Sequence, residues 1–205
     1  MPASINWIEF AAAVLLIELT PGPNMAWLAA LGLAEGRRAG LVATAGVGLG
    51  LTLNAMLAAL GLVALLTAQP ALQQGLRWAG VCLMLWLAFQ AWRDAGLSDA
   101  QAQGGNLWRH FTSGFLVNLF NPKAVLFFVV VVPPFLGGAA PTLRQAMALA
   151  GISVGIATAV HLLIISGAAR AHAWISHPRR MLWTRRVMAL MMLGIAGWLA
   201  AQALA

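Results

Sequence analysis

Thr20-Pro21-Gly22-Pro23-Asn24 interrupts an apolar run that extends from Ile5 to Leu33 and is otherwise long enough to cross a membrane. Two prolines and a glycine within five residues break a helix, because each proline removes a backbone donor and its ring clashes with the preceding turn. In hydrocarbon, the freed backbone groups are costly unless protein, ligand or cavity water satisfies them. The stretch therefore predicts a broken membrane helix whose break forms the wall of a site.

A second break of the same kind follows in the other half of the chain, at Asn118-Leu119-Phe120-Asn121-Pro122-Lys123. It also combines proline with asparagine inside an apolar run, and Pro122 follows Pro21 by 101 positions. Paired interrupted segments in corresponding positions of two halves are the sequence pattern of a transporter with a binding site near the membrane midplane.

The composition is that of an integral membrane protein. Of the 205 residues, 61% are hydrophobic and 8% are charged, whereas a soluble domain carries about 25% charged residues. The net charge of +7 does not indicate a nucleic-acid partner, because the arginines lie between apolar spans, where membrane topology explains them. The single Cys82 excludes an intrachain disulfide.

Six stretches are long and apolar enough to span a bilayer: 5–33, 39–67, 71–93, 111–136, 142–169 and 182–204. We predict one all-α membrane domain over 1–205, in which repeat one (1–93) and repeat two (111–205) flank a polar linker (94–110). With three spans in each half, the second half inserts upside down, so the repeats are inverted and helices 1 and 4 are broken near mid-membrane. No basic residue precedes the first apolar run, so we expect an uncleaved first span.

The arginines predict the orientation. With the N-terminus placed outside, nine arginines fall on the inner side and only Arg77 and Arg144 on the outer side. Positive residues concentrate in cytoplasmic loops, so we expect both termini outside the cytoplasm. The nine inner residues are Arg37, Arg38, Arg93, Arg109, Arg170, Arg179, Arg180, Arg185 and Arg186.

The two breaks supply the predicted substrate site. Half-helix ends expose free N–H groups, which attract a carboxylate, and free C=O groups, which attract an ammonium, so a zwitterionic amino acid suits the pair. The predicted substrate-binding residues belong to the two breaks: Pro21, Gly22, Pro23, Asn24, Asn118, Asn121, Pro122 and Lys123.

Two charged residues lie near the middle of predicted spans, Glu18 in the first and Lys123 in the fourth. An ionisable residue at that depth costs roughly 2.5–3.5 kcal/mol on insertion scales, and is by default a functional-site hypothesis. Two interpretations remain open. The residues form a structural ion pair, or Glu18 carries the coupling proton while Lys123 attracts a substrate carboxylate.

Asn54 and His161 are weaker candidates for the pathway. Asn54 lies one turn beyond Gly50 on the same helix face, and Gly46 and Gly50 form a G-x-x-x-G spacing that lets a helix approach closely. This spacing serves internal packing or a homodimer equally well. A lone mid-span histidine such as His161 makes a hydrogen bond within the bundle more often than it relays a proton.

The sequence contains no enzyme motif in a context that supports catalysis. Gly151-Ile152-Ser153-Val154-Gly155 matches G-x-S-x-G, but it lies in a helical run rather than at a strand-to-helix turn. His161 is eight residues further on, about 12 Å along a helix. Metal-binding and nucleotide-binding motifs are missing, and five acidic residues cannot build a carboxylate cage. We therefore predict no catalytic residue, metal or cofactor.

Thr20-Pro21-Gly22-Pro23-Asn24, the glycine-rich second span and Asn121-Pro122-Lys123-Ala124 together resemble the LysE/RhtB family of amino-acid exporters. The resemblance covers essentially the whole chain, and implies a six-span bacterial inner-membrane protein that exports amino acids using the membrane gradient. The sequence departs from the family pattern in two places. The third span reads Gly80-Val81-Cys82-Leu83-Met84 where a tyrosine is usual, and Glu18 stands where family members are usually apolar.

These observations predict a secondary active exporter of amino acids or related small solutes, driven by the proton gradient and working by alternating access. Its expected partners are membrane lipids, an amino-acid-like substrate and the proton. The alternative is a non-transporting membrane scaffold or partner subunit, in which paired mid-membrane breaks would have no use.

Overall fold

The computed structural model describes residues 5–61, 68–95, 107–137, 141–175 and 178–204. Regular structure within these ranges is entirely helical, which confirms the predicted all-α class. It comprises eight α-helices and one π-helical segment: α1 (Trp7–Leu19), α2 (Pro23–Ala59), α3 (Pro70–Asp94), α4 (Leu107–Leu119), α5 (Pro122–Leu126), the π-helical segment (Phe127–Val131), α6 (Val132–Phe135), α7 (Leu143–Ile175) and α8 (Pro178–Leu204).

The first predicted break is present between α1 and α2. Thr20 has φ −73° and ψ 128°, and Gly22 has φ −155° and ψ 172°, so both are extended. Each directly precedes a proline, whose ring disfavours the helical conformation of the residue before it. Pro23 then begins α2, where its missing N–H costs no hydrogen bond. Two X-Pro pairs thus determine where α1 ends and α2 begins.

The second predicted break is present between α4 and α5, for the same reason. Asn121 precedes Pro122 and is extended, with φ −78° and ψ 111°. Its side-chain Oδ1 accepts a hydrogen bond from the backbone N–H of Lys123 at 3.0 Å, which caps the new helix. Beyond α5 the helix widens, and the Val132 N–H donates to the Phe127 carbonyl five residues earlier.

The boundary between predicted spans 5–33 and 39–67 is present in the structure as a sharp turn. The chain is helical on both sides of Gly36, which alone leaves the helical conformation within α2, so α2 consists of two helices that meet at this residue. Its φ of 78° is readily adopted by glycine and rarely by other residues. The two predicted spans therefore meet at a single-residue kink, because one left-handed glycine is enough to redirect the chain.

The described helices support membrane insertion. Three segments are long and apolar enough to cross a bilayer: Pro23–Ala59, Leu143–His172 and Leu182–Leu204. The six-span path and the inverted repeat remain predictions. The predicted linker 94–110 lies mostly outside the described residues, and α4 includes Leu107–His110 of that range.

Two hydrophobic clusters form the core, and the chain passes between them at each break. Phe10 and Val14 of α1 belong to one cluster, whereas Trp27 and Leu28 of α2 belong to the other. Val117 of α4 similarly packs with the second group, while Ala124 and Phe127 pack with the first. The irregular backbone at both breaks thus lies where the two apolar groups meet.

The glycine-rich face of α2 packs inside the protein. A Cβ added at Gly46 would lie 2.0 Å from the Phe111 carbonyl oxygen, and one at Gly50 would lie 2.8 Å from that of Phe115. From the opposite side, a Cβ at Gly114 would lie 2.1 Å from the Ala43 carbonyl oxygen. The G-x-x-x-G spacing therefore brings α2 and α4 into backbone contact, and a homodimer remains untested.

Candidate functional site

The two breaks meet through a pair of buried asparagines. Asn24, in the first turn of α2, donates from Nδ2 to Oδ1 of Asn118, in the last turn of α4, at 2.6 Å. Asn54 Nδ2 contacts the Asn118 backbone carbonyl at 3.4 Å. Asn118 is 1% exposed and Asn24 is 6% exposed. The structure thus brings together three residues separated by up to 94 positions.

This amide pair leaves two polar atoms without a partner. Asn24 Oδ1 and Asn118 Nδ2 are buried and make no hydrogen bond. Most buried polar atoms in native proteins are satisfied, and leaving one unpaired costs about 1–3 kcal/mol. Both asparagines line the same cavity. The pair therefore offers one acceptor and one donor to a molecule that enters it.

The Lys123 side chain links the second break to the first. Its Nζ donates to the Thr20 carbonyl at 2.7 Å, which lies immediately after the C-terminus of α1. Free carbonyls at a helix C-terminus attract a cation, and here the ammonium of the chain itself occupies that position. The Lys123 ammonium thus hydrogen-bonds a backbone carbonyl, and it shares the cavity with the Glu18 carboxylate, with which it interacts electrostatically.

Glu18 faces His161. Its Oε2 lies 3.9 Å from Nε2 of His161 in α7. The His161 side chain is 3% exposed and that of Glu18 is 20% exposed. The separation is too long for a direct hydrogen bond, and both side chains line the same cavity.

The two breaks differ in how their second helices begin. Asn121 caps α5 with its side chain, whereas Gly22 has no side chain with which to cap α2. The first N–H groups of α2 therefore lack a side-chain cap beside Asn24. A helix N-terminus with uncapped N–H groups is a favourable position for an anion.

These groups surround one cavity of about 20 Å³. That volume holds about one water molecule, so an amino acid requires the helices to move apart. The lining includes three apolar residues that the sequence did not single out, since nothing but the fold distinguishes them from other core residues. The complete lining is Glu18, Gly22, Asn24, Met25, Leu51, Asn118, Asn121, Lys123, Ala124 and His161.

The three predicted prolines are not among the described residues of the cavity lining. Pro21 and Pro23 line an adjacent apolar groove of about 420 Å³, together with Met191 and Trp198 of α8. The Pro122 side chain lies outside the described set, although its backbone begins α5.

Ser153, the centre of the G-x-S-x-G match, has an ordinary role in helix α7. Its hydroxyl donates to the Leu149 carbonyl of the same helix at 2.8 Å. Among the described residues, no group of three His, Cys, Asp or Glu side chains is placed to hold a metal ion.

Residues 15–203 match the family model described as LysE type translocator. The chain is 30% identical to a homoserine/homoserine lactone efflux protein of Salmonella typhimurium, over 85% of this chain and 86% of the relative. It is 31% identical to a leucine efflux protein of Klebsiella pneumoniae, over 80% of this chain and 79% of the relative. A membrane protein of Vibrio cholerae is 29% identical over 92% and 93% of the two chains. No solved structure matches the chain.

Proposed function

Because this chain belongs to the family of LysE type translocators, we propose that it is a secondary active transporter that exports amino acids or closely related small solutes across the cell inner membrane. The observation that carries this proposal is the buried Asn24–Asn118 pair, which joins the two broken helices and leaves two polar atoms facing one cavity. Family membership also separates the chain from enzymes.

The names of the relatives support an amino-acid substrate. One exports homoserine and its lactone, and another exports leucine. Homoserine and leucine share the α-amino carboxylic head group and differ in the side chain. We therefore assign the paired breaks to the head group, which is the part common to both compounds.

The geometry suggests how the head group binds. The substrate carboxylate is placed at the uncapped start of α2, within reach of the unpaired Asn118 Nδ2. We place the ammonium at the unpaired Asn24 Oδ1, in the cavity that Glu18 also lines. Each contact satisfies a buried atom that otherwise lacks a partner, so binding recovers a cost already present in the free protein.

Glu18 is the proposed carrier of the coupling proton, with His161 as its partner. Both line the substrate cavity, and their facing atoms are 3.9 Å apart. A carboxylate that meets the substrate ammonium when ionised and releases it when protonated couples the two movements. Lys123 is proposed to hold the two breaks together through Thr20.

Alternating access follows from the size of the cavity, which at about 20 Å³ cannot hold an amino acid without movement of its walls. Secondary transporters with broken helices achieve this by rocking one repeat against the other around a fixed site. Both predicted repeats contribute to the cavity, so such a movement opens it to one side at a time.

The experiment is efflux from proteoliposomes loaded with labelled leucine or homoserine, with the outside made acidic. We expect efflux that exceeds that of protein-free liposomes and that a protonophore abolishes. Efflux that is unchanged by the protonophore would contradict proton coupling but would leave amino-acid export standing. Absence of transport for both compounds, and for a panel of other amino acids, would favour the scaffold or partner-subunit alternative.

A further inference from the structure

A second polar cluster lies at the other end of the first half of α2. The Glu35 carboxylate is 3.2 Å from His110 Nε2 and 3.6 Å from an Arg109 guanidinium nitrogen, both at the start of α4. Arg185 of α8 lines the same small cavity of about 30 Å³. We call these four residues the Glu35 cluster.

The Glu35 cluster is partly removed from solvent. His110 is 4% exposed and Arg185 is 3% exposed, whereas the side chains of Glu35 and Arg109 are 13% and 28% exposed. A partly buried ion pair is screened less than a surface pair. Removing the Glu35 carboxylate therefore takes away the attraction that draws α2 toward Arg109 of α4 at this end.

The Glu35 cluster and the substrate cavity lie at opposite ends of one helix pair. Asn24 and Glu35 lie eleven residues apart on α2, about 16.5 Å along the helix. Asn118 and His110 lie eight residues apart on α4, about 12 Å along the helix. The first half of α2 therefore runs antiparallel to α4 and touches it through polar groups at both ends. One end is the substrate cavity, and the other is the Glu35 cluster.

The chain turns sharply next to Glu35. Gly36 is the one residue within α2 that leaves the helical conformation, and a single such residue connects the first half of α2 to the second. The last turn before it is held to α7 by His172 Nδ1, 2.8 Å from the Leu33 carbonyl oxygen. Contacts to α4 and α7, rather than a continuous helix, thus hold this end of the half-helix.

The cluster also lies at the end of the bundle that is rich in arginine. Arg37 and Arg38 follow Gly36 directly, and the Arg186 guanidinium lies 5.4 Å from the Trp92 ring, which brings the start of α8 to the end of α3. The arginine distribution predicts that this end is cytoplasmic. A substrate for export arrives from this side.

We infer that Glu35 closes the pathway between the substrate cavity and the arginine-rich end, by holding the first half of α2 against α4 through His110 and Arg109. This inference rests on the proposed function, because a scaffold has no pathway to close. When the Glu35 contacts part, the half-helix swings about Gly36 and the cavity opens toward the cytoplasm.

The test measures access to the cavity and requires no known substrate. Cys82→Ala removes the single cysteine, and Met25→Cys places one thiol in the cavity lining. A membrane-impermeant charged thiol reagent is then applied to each face in turn, using inside-out and right-side-out vesicles. In this background, Glu35→Gln is expected to raise the labelling rate from the arginine-rich face about tenfold, the change that corresponds to about 1.4 kcal/mol lost from the closed state.

Arg38→Gln is the matched control, since Arg38 is an exposed charge at the same end that does not line the cavity of the cluster. It is expected to leave the labelling rate unchanged, whereas Glu35→Asp, which keeps the carboxylate, is expected to restore most of the closure. His110→Gln is the second opening variant and is measured alongside Glu35→Gln, so that the test stands if one of the two does not yield folded protein by size-exclusion chromatography.

Three outcomes would overturn the inference: unchanged labelling in both opening variants, equal increases from both faces, or the same increase in Arg38→Gln. Each would give Glu35 a general structural role. If leucine and homoserine transport fails while the one-sided increase is found, the substrate assignment fails and the closure stands.

Discussion

Glu18 is the residue whose environment argues most directly for a transport role. It shares a cavity with Asn24 and Asn118, and its carboxylate faces His161. The Lys123 ammonium acts on it electrostatically and hydrogen-bonds the Thr20 carbonyl. The partly exposed position of Glu18 beside an uncapped helix start leaves it available to protons and to a substrate ammonium.

Glu18→Gln is therefore expected to abolish efflux driven by a pH gradient, because glutamine cannot exchange a proton. Exchange of labelled for unlabelled amino acid across the membrane needs no net proton movement, and is expected to persist. Glu9→Gln, which changes an exposed carboxylate of the same helix, is the control and should retain driven efflux. If Glu18→Gln proteoliposomes respond to the gradient as the unmodified protein does, Glu18 is not the coupling residue.

Asn118 provides the second prediction at this scale. Asn118→Ala removes the unpaired Nδ2 and deprives Asn24 of its partner. A hydrogen bond to a charged group contributes about 1.5–3 kcal/mol, so the KM for leucine or homoserine is expected to rise about tenfold or more. Asn54→Ala removes only a 3.4 Å contact to a backbone carbonyl, and should have a smaller effect. Equal KM values for the two variants would count against a substrate contact at Asn118.

The helix breaks could be predicted from sequence because their cause is local. Thr20, Gly22 and Asn121 each precede a proline, and the steric restriction acts between neighbouring residues whatever the rest of the fold does. The turn at Gly36 likewise falls between predicted spans 5–33 and 39–67. The number of residues that leave the helix there depends on the helices packed around it, such as α7 at His172.

The partners of the charged residues could not be predicted in the same way. Lys123 to Thr20 and Glu18 to His161 join distant segments, and their choice depends on how α1, α5 and α7 are rotated about their axes. A rotation by one residue would replace one partner with another. The sequence does not distinguish Glu35 for a related reason. Its position beside Arg37 and Arg38 is typical of an exposed loop, and only the fold places it against His110.

The packing of α2 against α4 yields a prediction for an element. Gly46→Ala is expected to destabilise the protein by about 1–3 kcal/mol, because the added methyl group would overlap the Phe111 backbone, which cannot move alone. Gly155→Ala, in α7, adds a methyl group to open space and should leave stability unchanged or slightly raised. Thermal unfolding of the detergent-solubilised variants compares the two. Similar midpoints for both would show that the α2–α4 contact is looser than described.

At the scale of the whole molecule, the two breaks share two features. Each separates a segment in one hydrophobic cluster from a segment in the other, and each places an asparagine in the shared cavity. Their capping differs, however, because Asn121 caps its own helix while Gly22 leaves α2 uncapped. One capped and one uncapped helix start provide a single anion position rather than two, as the proposed site for one head group requires.

The predicted orientation can be tested by reporter fusions. Nine arginines on one side against two on the other predict that residues around Ala95 are cytoplasmic and that the segment after Leu204 is outside. Green fluorescent protein fused after Ala95 should fluoresce, and alkaline phosphatase fused after Leu204 should be active, because each reporter works on one side only. Phosphatase fused after Gln69, in the connection between spans 39–67 and 71–93, provides an internal check, since that position is also predicted to lie outside. Active phosphatase after Ala95, combined with a fluorescent fusion after Leu204, would invert the orientation. The Glu35 cluster would then close the pathway on the exit side.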